Sequence, residues 1–266
     1  PDRYIDVGIA EGHAVTYSAG LSASGIIPII PIYSTFMQRA YDHVIHDFAI
    51  QSIPGIFCMD RAGVVGNDGP THHGVFDIVF MKSIPNMIVA APKDGDEMYD
   101  MIATALEKKL LFSIRYPKDT TLLNINREPN IIDIGKWEVI NDGKKICILA
   151  VGSMVRVCGK IINHFKNKIN ITLVNCNFIK PIDTNMLNEL ITKHDIFISF
   201  EEGMKSGGFG TSILEYFSKS NCDKRLYIHG IKDKFTQHAS RKELLEELKL
   251  DFDSIIKEIE NILNEK

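Results

Sequence analysis

Two short runs of sequence decide the fold: residues 26–32 read Ile-Ile-Pro-Ile-Ile-Pro-Ile, and residues 87–91 read Met-Ile-Val-Ala-Ala. A strand with one solvated face alternates apolar and polar residues, whereas a strand covered by helices on both faces is apolar throughout. Neither run contains a polar position. Both runs therefore predict strands of a mostly parallel sheet that helices cover on both sides.

Similar runs recur along the first half of the chain, where they alternate with helical patterns. Strands are predicted at residues 5–10, 27–32, 55–60, 87–90 and 110–115, and helices at residues 11–24, 36–51 and 94–108. This alternation is typical of an α/β domain, in which helices wrap a parallel sheet.

A polar stretch divides the chain. Residues 116–136 hold two prolines and show no helical or strand period, which is typical of a connecting segment. We therefore predict a first domain at residues 1–117, a linker at residues 118–136 and a second domain at residues 137–266.

The second domain repeats the alternation and is predicted to be a smaller α/β domain. Its predicted strands are residues 145–151, 169–174, 196–200 and 225–230, and its predicted helices are residues 154–165, 183–192, 210–218, 241–250 and 252–264. Ser240 and Glu243 stand at the spacing of a capping box, so a helix is expected to begin directly after Ser240.

Composition excludes several classes of function. The 266 residues are 45% hydrophobic and carry a net charge of -4, which gives no electrostatic reason to expect a nucleic-acid or membrane partner. The longest apolar stretch, residues 25–33, is far shorter than the roughly 20 residues that cross a bilayer.

The five cysteines form no CxxC pair and no cluster with histidine, so we expect small buried thiols in a reducing compartment. The chain starts with proline, without an initiator methionine or a signal-peptide pattern, so we expect residue 1 to be a cut end.

Polar residues concentrate in two segments of the first domain. The first segment, residues 9–15, reads Ile-Ala-Glu-Gly-His-Ala-Val and places Glu11 between a predicted strand and a predicted helix. Such an acid is favoured in a first helical turn by the helix dipole alone. Gly12 and Ala14 leave room for a ring beside it.

The second polar segment is residues 60–77. It holds four glycines, two histidines, three aspartates and an arginine, far more than a plain connection needs. Glycine lets backbone approach a ligand, and open α/β sheets carry their sites beyond the carboxyl ends of strands. Adjacent histidines point apart and no third ligand is spaced to join His72 and His73, so we expect no metal site.

Between these segments lies a turn from a strand into a helix. Apolar residues recur about every four positions from Phe36 to Phe48, as in an amphipathic helix. Tyr33, Ser34 and Thr35 precede that helix, and their hydroxyls are expected to face a cleft together with the Phe36 ring.

These motifs resemble, in order and spacing, the 1-deoxy-D-xylulose-5-phosphate synthases of the transketolase superfamily. The resemblance to their pyrimidine-binding domain lies in residues 6–15, 33–42, 60–74 and 114–117. Residues 178–183 and 201–210 are similar to the C-terminal domain of the superfamily. The resemblance implies a transketolase-like pyrimidine-binding domain followed by a transketolase C-terminal domain.

The resemblance also implies an activity and its cofactor. Members of the family are thiamine-diphosphate-dependent transferases that condense pyruvate with D-glyceraldehyde 3-phosphate, releasing carbon dioxide. Their product, 1-deoxy-D-xylulose 5-phosphate, is a precursor of isoprenoids, thiamine and pyridoxal. Glu11 matches the glutamate that hydrogen-bonds the pyrimidine ring of the cofactor, and Phe36 matches the aromatic residue that packs against that ring.

The substrate side of the site is also implied by the resemblance. Arg61 and Arg115 match the arginines that bind the phosphate of the aldehyde substrate, and Tyr33 lies beside them in the motif. Asp68 and His72 match positions near the reacting hydroxyl and carbonyl groups, where His72 relays a proton near neutral pH. His13, His46 and His73 are expected to be structural.

Two departures from the family pattern stand out. The usual Glu-Gln-His reads Glu11-Gly12-His13 here. The Gly-Asp-Gly motif and later asparagine of the N-terminal domain of the family, which hold Mg²⁺ and the diphosphate, have no match. We therefore expect the cofactor-binding site to be completed by an N-terminal domain absent from this chain or by a second chain. The family also implies a homodimer in the cytoplasm of a bacterium, or in the plastid of a plastid-bearing eukaryote.

Two alternatives remain open from the sequence. The first is the β subunit of a 2-oxoacid dehydrogenase E1 component, which has these two domains and pairs with a cofactor-holding subunit. Product analysis separates the two, since one forms deoxyxylulose phosphate and the other transfers an acyl group to lipoamide. The second is a non-catalytic fragment that only assembles with a partner half, which predicts no surviving catalytic acid.

Overall fold

The structure is a computed structural model that describes residues 2–121, 123–124 and 126–264. Pro1, two residues of the predicted linker (Leu122 and Ile125) and the last two residues of the predicted second domain lie outside the described residues. The strands are, in chain order, β1 (Ile29–Tyr33), β2 (Gly55–Asp60), β3 (Ile88–Ala90), β4 (Leu111–Arg115), β5 (Glu138–Asn141), β6 (Lys145–Ala150), β7 (Thr172–Asn175), β8 (Phe178–Lys180), β9 (His194–Met204) and β10 (Arg225–Ile231).

Helices alternate with these strands. The α-helices are α1 (Glu11–Ala23), α2 (Tyr41–His43), α3 (Asp77–Ser83), α4 (Gly95–Lys108), α5 (Met154–Phe165), α6 (Thr184–Lys193), α7 (Phe209–Lys219), α8 (Arg241–Leu248) and α9 (Phe252–Asn264). A 3-10 helix (Phe36–Ala40) and a π-helix (Val44–Ala49) flank α2, and a short 3-10 turn (Gly66–Asp68) lies in the glycine-rich segment.

The strands form two sheets that confirm the predicted fold class of two α/β domains. The first sheet has the order β1-β2-β4-β3-β8, and the second has the order β10-β9-β6-β7-β5. Every pairing is parallel except those of β8 with β3 and of β5 with β7, so the single antiparallel strand of each sheet lies at an edge. The inner strands β3 and β4 are buried along their whole length, as expected of strands covered on both faces. Strand β1 lies at an edge of its sheet and exposes Ile29.

Helix boundaries follow local capping chemistry. The Asp94 side chain accepts a hydrogen bond from the Glu97 amide at 2.8 Å and starts α4. The predicted capping box is confirmed, because Ser240 and Glu243 satisfy each other's backbone amides at the start of α8. All five cysteines are free and four of them are buried, as predicted for small hydrophobic residues.

One predicted strand is wrong, and one short α-helix and two short strands are additional. Residues 5–10 form no strand: Ile9 is 97% exposed and Gly8 has a φ of +67°, so this segment has no neighbouring strand to pair with. The additional elements are α3, β5 and β8, which have seven, four and three residues. Segments this short carry too few repeats for a period to be recognised.

The added strand β8 joins the two domains. It follows the predicted linker in sequence, yet it pairs with β3 of the first sheet through Val89 and Lys180. Trp137 Nε1 donates to the Phe178 backbone oxygen at 2.8 Å, and both residues share one buried cluster with Phe112 of β4. The second domain is therefore fixed against the first by a common core, while the domain limits at residues 117 and 137 stay a prediction.

Candidate active site

The carboxyl ends of three neighbouring strands bring predicted site residues to one edge of the first sheet. Tyr33, the last residue of β1, is in register with Asp60, the last residue of β2. Met59 of β2 is in turn in register with Arg115, the last residue of β4. Because parallel strands end at the same edge, Tyr33, Arg61 and Arg115 start from neighbouring backbone positions.

Aromatic rings and a guanidinium group stack at this edge. The Tyr33 and Phe36 rings are nearly parallel, with centroids 5.3 Å apart and 19° between their planes. The His72 imidazole meets Phe36 edge-on at 5.2 Å. The Arg61 guanidinium carbon lies 3.8 Å from the centre of the Tyr33 ring, a cation–π contact. Phe36 is only partly buried, unlike an ordinary core phenylalanine.

Arg61 is held between two carboxylates. Its Nη1 donates to Asp60 Oδ2 at 2.6 Å, and its Nε lies 4.0 Å from Asp68 Oδ2. Lys118 Nζ donates to Asp68 Oδ2 at 2.7 Å, and this hydrogen bond holds the pKa of Asp68 below its usual value. Arg61 has a φ of +58°, in the left-handed region that non-glycine residues rarely adopt. Such strain is concentrated at functional sites.

Glu11 is the first residue of α1 and adjoins the same aromatic cluster. Its side chain is 13% exposed, and one of its oxygens lies 3.3 Å from Arg39 Nη1. The Arg39 guanidinium carbon also lies 4.9 Å from the centre of the Phe36 ring. Arg39 therefore connects the acid to the aromatic cluster through one side chain.

A histidine ring fills the space beside Gly12. A Cβ atom added at Gly12 would lie 3.0 Å from His43 Cε1 and 3.2 Å from His43 Nε2. His43 Nδ1 is buried and has no hydrogen-bond partner among the described residues. The room predicted beside Glu11 is therefore occupied, at Gly12, by a side chain of this same chain.

Arg115 is placed differently from the other predicted site residues. Its side chain is 6% exposed, and its Nε donates to Asp77 Oδ2 at 2.8 Å. Its Nη2 donates to the Glu202 backbone oxygen at 2.9 Å. The structure therefore groups Glu11, Phe36, Tyr33, Arg61, Asp68 and His72. The Arg115 guanidinium is instead bonded to Asp77 and to the Glu202 backbone.

The two adjacent histidines have different surroundings. His72 is partly buried, contacts Phe36, and has its Nδ1 2.9 Å from Thr71 Oγ1. His73 is buried, accepts from the Val65 amide at Nδ1 and faces the Gln237 backbone oxygen with Nε2, both at 3.1 Å. Nδ1 therefore carries no proton and Nε2 donates. The structural role expected for His73 agrees with this geometry.

Sequence reasoning missed two cations of the site. Arg39 lies three residues after Phe36, so it shares one face of the helical segment, and that spacing was the available signal. Lys118 opens the predicted linker, where a lysine carries no signal of its own, and only the fold brings it to Asp68.

The described part of the chain holds neither a candidate membrane span nor a cluster of metal ligands. No helix there is long and apolar enough to cross a membrane. No group of three or more histidine, cysteine, aspartate or glutamate side chains in those residues is arranged to hold a metal ion.

Comparisons with known proteins agree on two domains. The model of "Transketolase, pyrimidine binding domain" matches residues 1–122, and that of "Transketolase, C-terminal domain" matches residues 135–255. The split-gene transketolase solved as an inactive beta4 tetramer has a TM-score of 0.85 at 24% identity, covering 98% of this chain and 84% of that one. The transketolase of Campylobacter jejuni has a TM-score of 0.75 at 19% identity, covering 97% of this chain and 39% of that one. These two likenesses show the fold.

Relatives with similar sequences indicate which transketolase-like enzymes this chain resembles. The 1-deoxy-D-xylulose-5-phosphate synthase of Aquifex aeolicus is 42% identical over 267 residues, covering 99% of this chain and 42% of the relative. That of Neisseria meningitidis serogroup A is 39% identical over 267 residues, covering 100% of this chain and 41% of the relative. The chain thus spans about two fifths of the length of these curated relatives. It belongs to the transketolase superfamily, and within it resembles the pyrimidine-binding and C-terminal domains of the 1-deoxy-D-xylulose-5-phosphate synthases.

Proposed function

We propose that this chain is part of an enzyme that condenses pyruvate with D-glyceraldehyde 3-phosphate to 1-deoxy-D-xylulose 5-phosphate and carbon dioxide. The observation that carries the proposal is the continuous contact from Glu11 through Arg39, Phe36 and Tyr33 to Arg61. This row offers a carboxylate and a partly exposed aromatic ring at one end and a guanidinium group at the other. A pyrimidine ring and a phosphate ester require these two kinds of partner.

The donor set fits the pyrimidine end of thiamine diphosphate. Glu11 offers a carboxylate acceptor for a protonated ring nitrogen, and the partly exposed Phe36 ring offers an apolar stacking face. When bound, the cofactor supplies a nucleophilic carbon for attack on the substrate carbonyl. The role of Glu11 is to hold the proton at pyrimidine N1′. The largely exposed Arg39 side chain is paired with the Glu11 carboxylate. Binding of the pyrimidine ring displaces Arg39 from that carboxylate.

The substrate end is assigned to the Arg61 side of the row. The Arg61 guanidinium binds the substrate phosphate through charge-assisted hydrogen bonds, and the Tyr33 ring keeps it oriented. Asp68 accepts a hydrogen bond from a substrate hydroxyl, and His72 passes a proton at the reacting oxygen. Arg115 is the second arginine of the proposed phosphate site, and it reaches the phosphate by exchanging its bond to Asp77.

The other half of the cofactor site is assigned to a partner. Apolar side chains within seven residues of Glu11 in the sequence are open to solvent, namely Tyr4, Ile5, Ile9 and Tyr17, which supports coverage by another domain or chain. That partner would hold Mg²⁺ and the diphosphate. The split-gene transketolase supports such an arrangement, because there a chain of this fold forms a tetramer described as inactive. A homodimeric enzyme in a bacterial cytoplasm or a plastid completes the proposal.

Reconstitution tests the proposal. This chain, joined to or mixed with a diphosphate-binding half, is expected to form deoxyxylulose phosphate from the two substrates. Calorimetry on the chain alone is expected to show little or no affinity for thiamine diphosphate. Tight magnesium-dependent binding by the chain alone would contradict the divided cofactor site, and acyl transfer to lipoamide in place of deoxyxylulose phosphate would contradict the reaction.

A further inference from the structure

The loop that carries the proposed substrate residues is anchored to the second domain by one buried carboxylate. We call residues 61–74 the site loop. The Glu202 side chain, on β9, is 2% exposed and accepts hydrogen bonds from the Val64 amide at 3.3 Å and from Ser153 Oγ at 2.6 Å. Burial by itself would raise the pKa of Glu202, but Arg241 and Ser153 outweigh it and hold the pKa below its usual value. Glu202 is therefore charged at neutral pH.

Close packing shows that the site loop is shaped to this carboxylate. Gly63 has a φ of +79°, and a Cβ there would lie 2.5 Å from Glu202 Oε2. Gly66 has a φ of +71°, and a Cβ there would lie 2.9 Å from the Arg241 backbone nitrogen. Both distances are shorter than real Cβ contacts, so the two glycines are required by the approach of the second domain.

Arg241 completes the anchor from the start of α8. Its guanidinium group donates to both carboxylate oxygens of Glu202, and its Nη1 also donates to the Val64 backbone oxygen at 2.8 Å. The Val64 peptide is thus held by Glu202 on its amide side and by Arg241 on its carbonyl side. Farther along the loop, His73 binds the Gln237 backbone oxygen.

The site loop needs an external anchor because it has little structure of its own. Apart from the short 3-10 turn at Gly66–Asp68, its described residues form only isolated bridges at Gly74. The same loop carries Arg61 and His72, which contact Tyr33 and Phe36, and Asp68, which lies beside Arg61. Side chains carried by a loop are held in a precise position only when a rigid neighbouring element fixes that loop.

We propose that Glu202, together with Arg241, is a positioning residue that fixes the site loop so that Arg61, Asp68 and His72 meet the aldehyde substrate, an inference that rests on the proposed function for the identity of that substrate. The second domain therefore acts on the reaction through the backbone of the first. Neither Glu202 nor Arg241 touches the substrate. Their loss is expected to loosen the site loop and to weaken binding of the aldehyde more than binding of pyruvate.

The test uses Glu202→Gln in the complete enzyme, with Glu201→Gln as the matched control. Glu201 is the adjacent buried glutamate, but it binds the Phe209 and Gly210 amides at the start of α7 and not the site loop. In Glu202→Gln, hydrogen exchange of peptides spanning residues 61–74 is expected to be about tenfold faster, the effect of losing one charge-assisted hydrogen bond. The KM for the aldehyde is expected to rise by a similar factor, with a smaller change in the KM for pyruvate. Glu201→Gln is expected to leave loop exchange unchanged.

A second variant covers the case in which Glu202→Gln does not fold. Arg241→Lys keeps a positive charge but loses the paired contact with Glu202 and is expected to shift loop exchange and the aldehyde KM in the same direction. The idea is overturned if folded variants leave both quantities unchanged, or if Glu201→Gln accelerates the loop equally. Hydrogen exchange requires no assumption about the reaction. A loop that loosens in an enzyme that forms no deoxyxylulose phosphate would support the anchor and refute the proposed function.

Discussion

Arg115 Nε donates a hydrogen bond to Asp77 Oδ2 at 2.8 Å, and both side chains are buried. Arg115 ends β4 and Asp77 starts α3, so the pair ties the sheet to the helix that follows the glycine-rich segment. The second bond of Arg115, to the Glu202 backbone oxygen, extends this connection to the other domain. The pair is therefore part of the framework on which the proposed site rests.

Arg115→Ala is expected to destabilise the protein strongly. Removal of the guanidinium leaves the Asp77 carboxylate buried without its partner, which typically costs about 3–5 kcal/mol. The free energy of unfolding in urea measures this. Arg156→Ala is the control, because Arg156 forms an exposed pair with Asp119 and such pairs are worth about 0–1 kcal/mol. Equal decreases in the free energy of unfolding would show that the buried Arg115 pair stabilises the protein no more than the exposed Arg156 pair.

Arg61→Ala is expected to act on substrate binding. The Arg61 side chain is partly exposed, and its loss removes charge-assisted bonds to the aldehyde phosphate worth about 1.5–3 kcal/mol. The KM for glyceraldehyde 3-phosphate should rise roughly ten- to a hundredfold, whereas the KM for pyruvate should change little. Unphosphorylated glyceraldehyde is the control substrate, since its KM should be insensitive to the change. Loss of pyruvate affinity with the aldehyde affinity retained would refute the assignment.

Much of the fold could be predicted because the spacing of apolar residues in the sequence agrees with their burial in the structure. Helix α9, for example, begins and ends where its apolar spacing predicted, since Ile255, Ile259 and Ile262 recur at helical spacing and are all buried. The predicted strand at residues 5–10 failed because apolar alternation reports a preference for burial, not the presence of a pairing partner. Strand β8 was missed because its three residues were recruited by a sheet in the other domain.

The site was predictable in its residue types and less so in its contacts. Tyr33, Phe36, Arg61 and His72 were grouped from their positions after predicted strands and from the resemblance to the family, and the structure brings their side chains together. The burial of Arg115 was not predictable, because its partners, Asp77 and the Glu202 backbone, come from two distant segments. The roles of these residues in binding and catalysis stay predictions.

Gly12→Gln, which restores the residue usual in the family, is expected to be harmful in this chain. The new side chain would meet the His43 imidazole, which lies 3.0 Å from the position of its Cβ, and packed interiors tolerate such overfilling at a cost of about 1–3 kcal/mol. His43→Ala should create space, so the double variant should recover stability. A double-mutant cycle in urea measures the coupling. Additive effects would show that Gly12 and His43 are independent.

His73 is expected to make stability depend on pH. Burial lowers the pKa of His73 below the ordinary 6.5. The hydrogen bond that Nδ1 accepts from the Val65 amide also requires the neutral ring. The folded state therefore favours the neutral form. Its contribution to stability is fully present above about pH 6.5 and is lost as the pH falls from there through the lowered pKa.

Histidine NMR titration measures this shift directly. The groups that face His73 are His72, Asp68 and His238, and their net effect together with burial is a lowered value. His46 is the internal control, since its hydrogen bond with Asp47 raises its pKa. The His73 midpoint should fall below 6.5 and the His46 midpoint above it. A His73 midpoint at or above that of His46 would contradict the hydrogen-bond assignment.

Glu11→Ala is expected to abolish turnover in the reconstituted enzyme while the fold stays intact. In the proposed function this acid holds the proton at pyrimidine N1′, and such a group typically contributes about 10²–10⁴-fold to rate. The exchange rate of the cofactor's C2 proton in deuterated water should fall by that order, with an unchanged circular dichroism spectrum. Glu107→Ala, which removes an exposed acid paired with Lys108, is the control and should exchange at the unmodified rate. If Glu11 only supports the start of α1, its loss would cost about 0.3–1 kcal/mol of stability and spare exchange, and the thiamine assignment would lose its central residue.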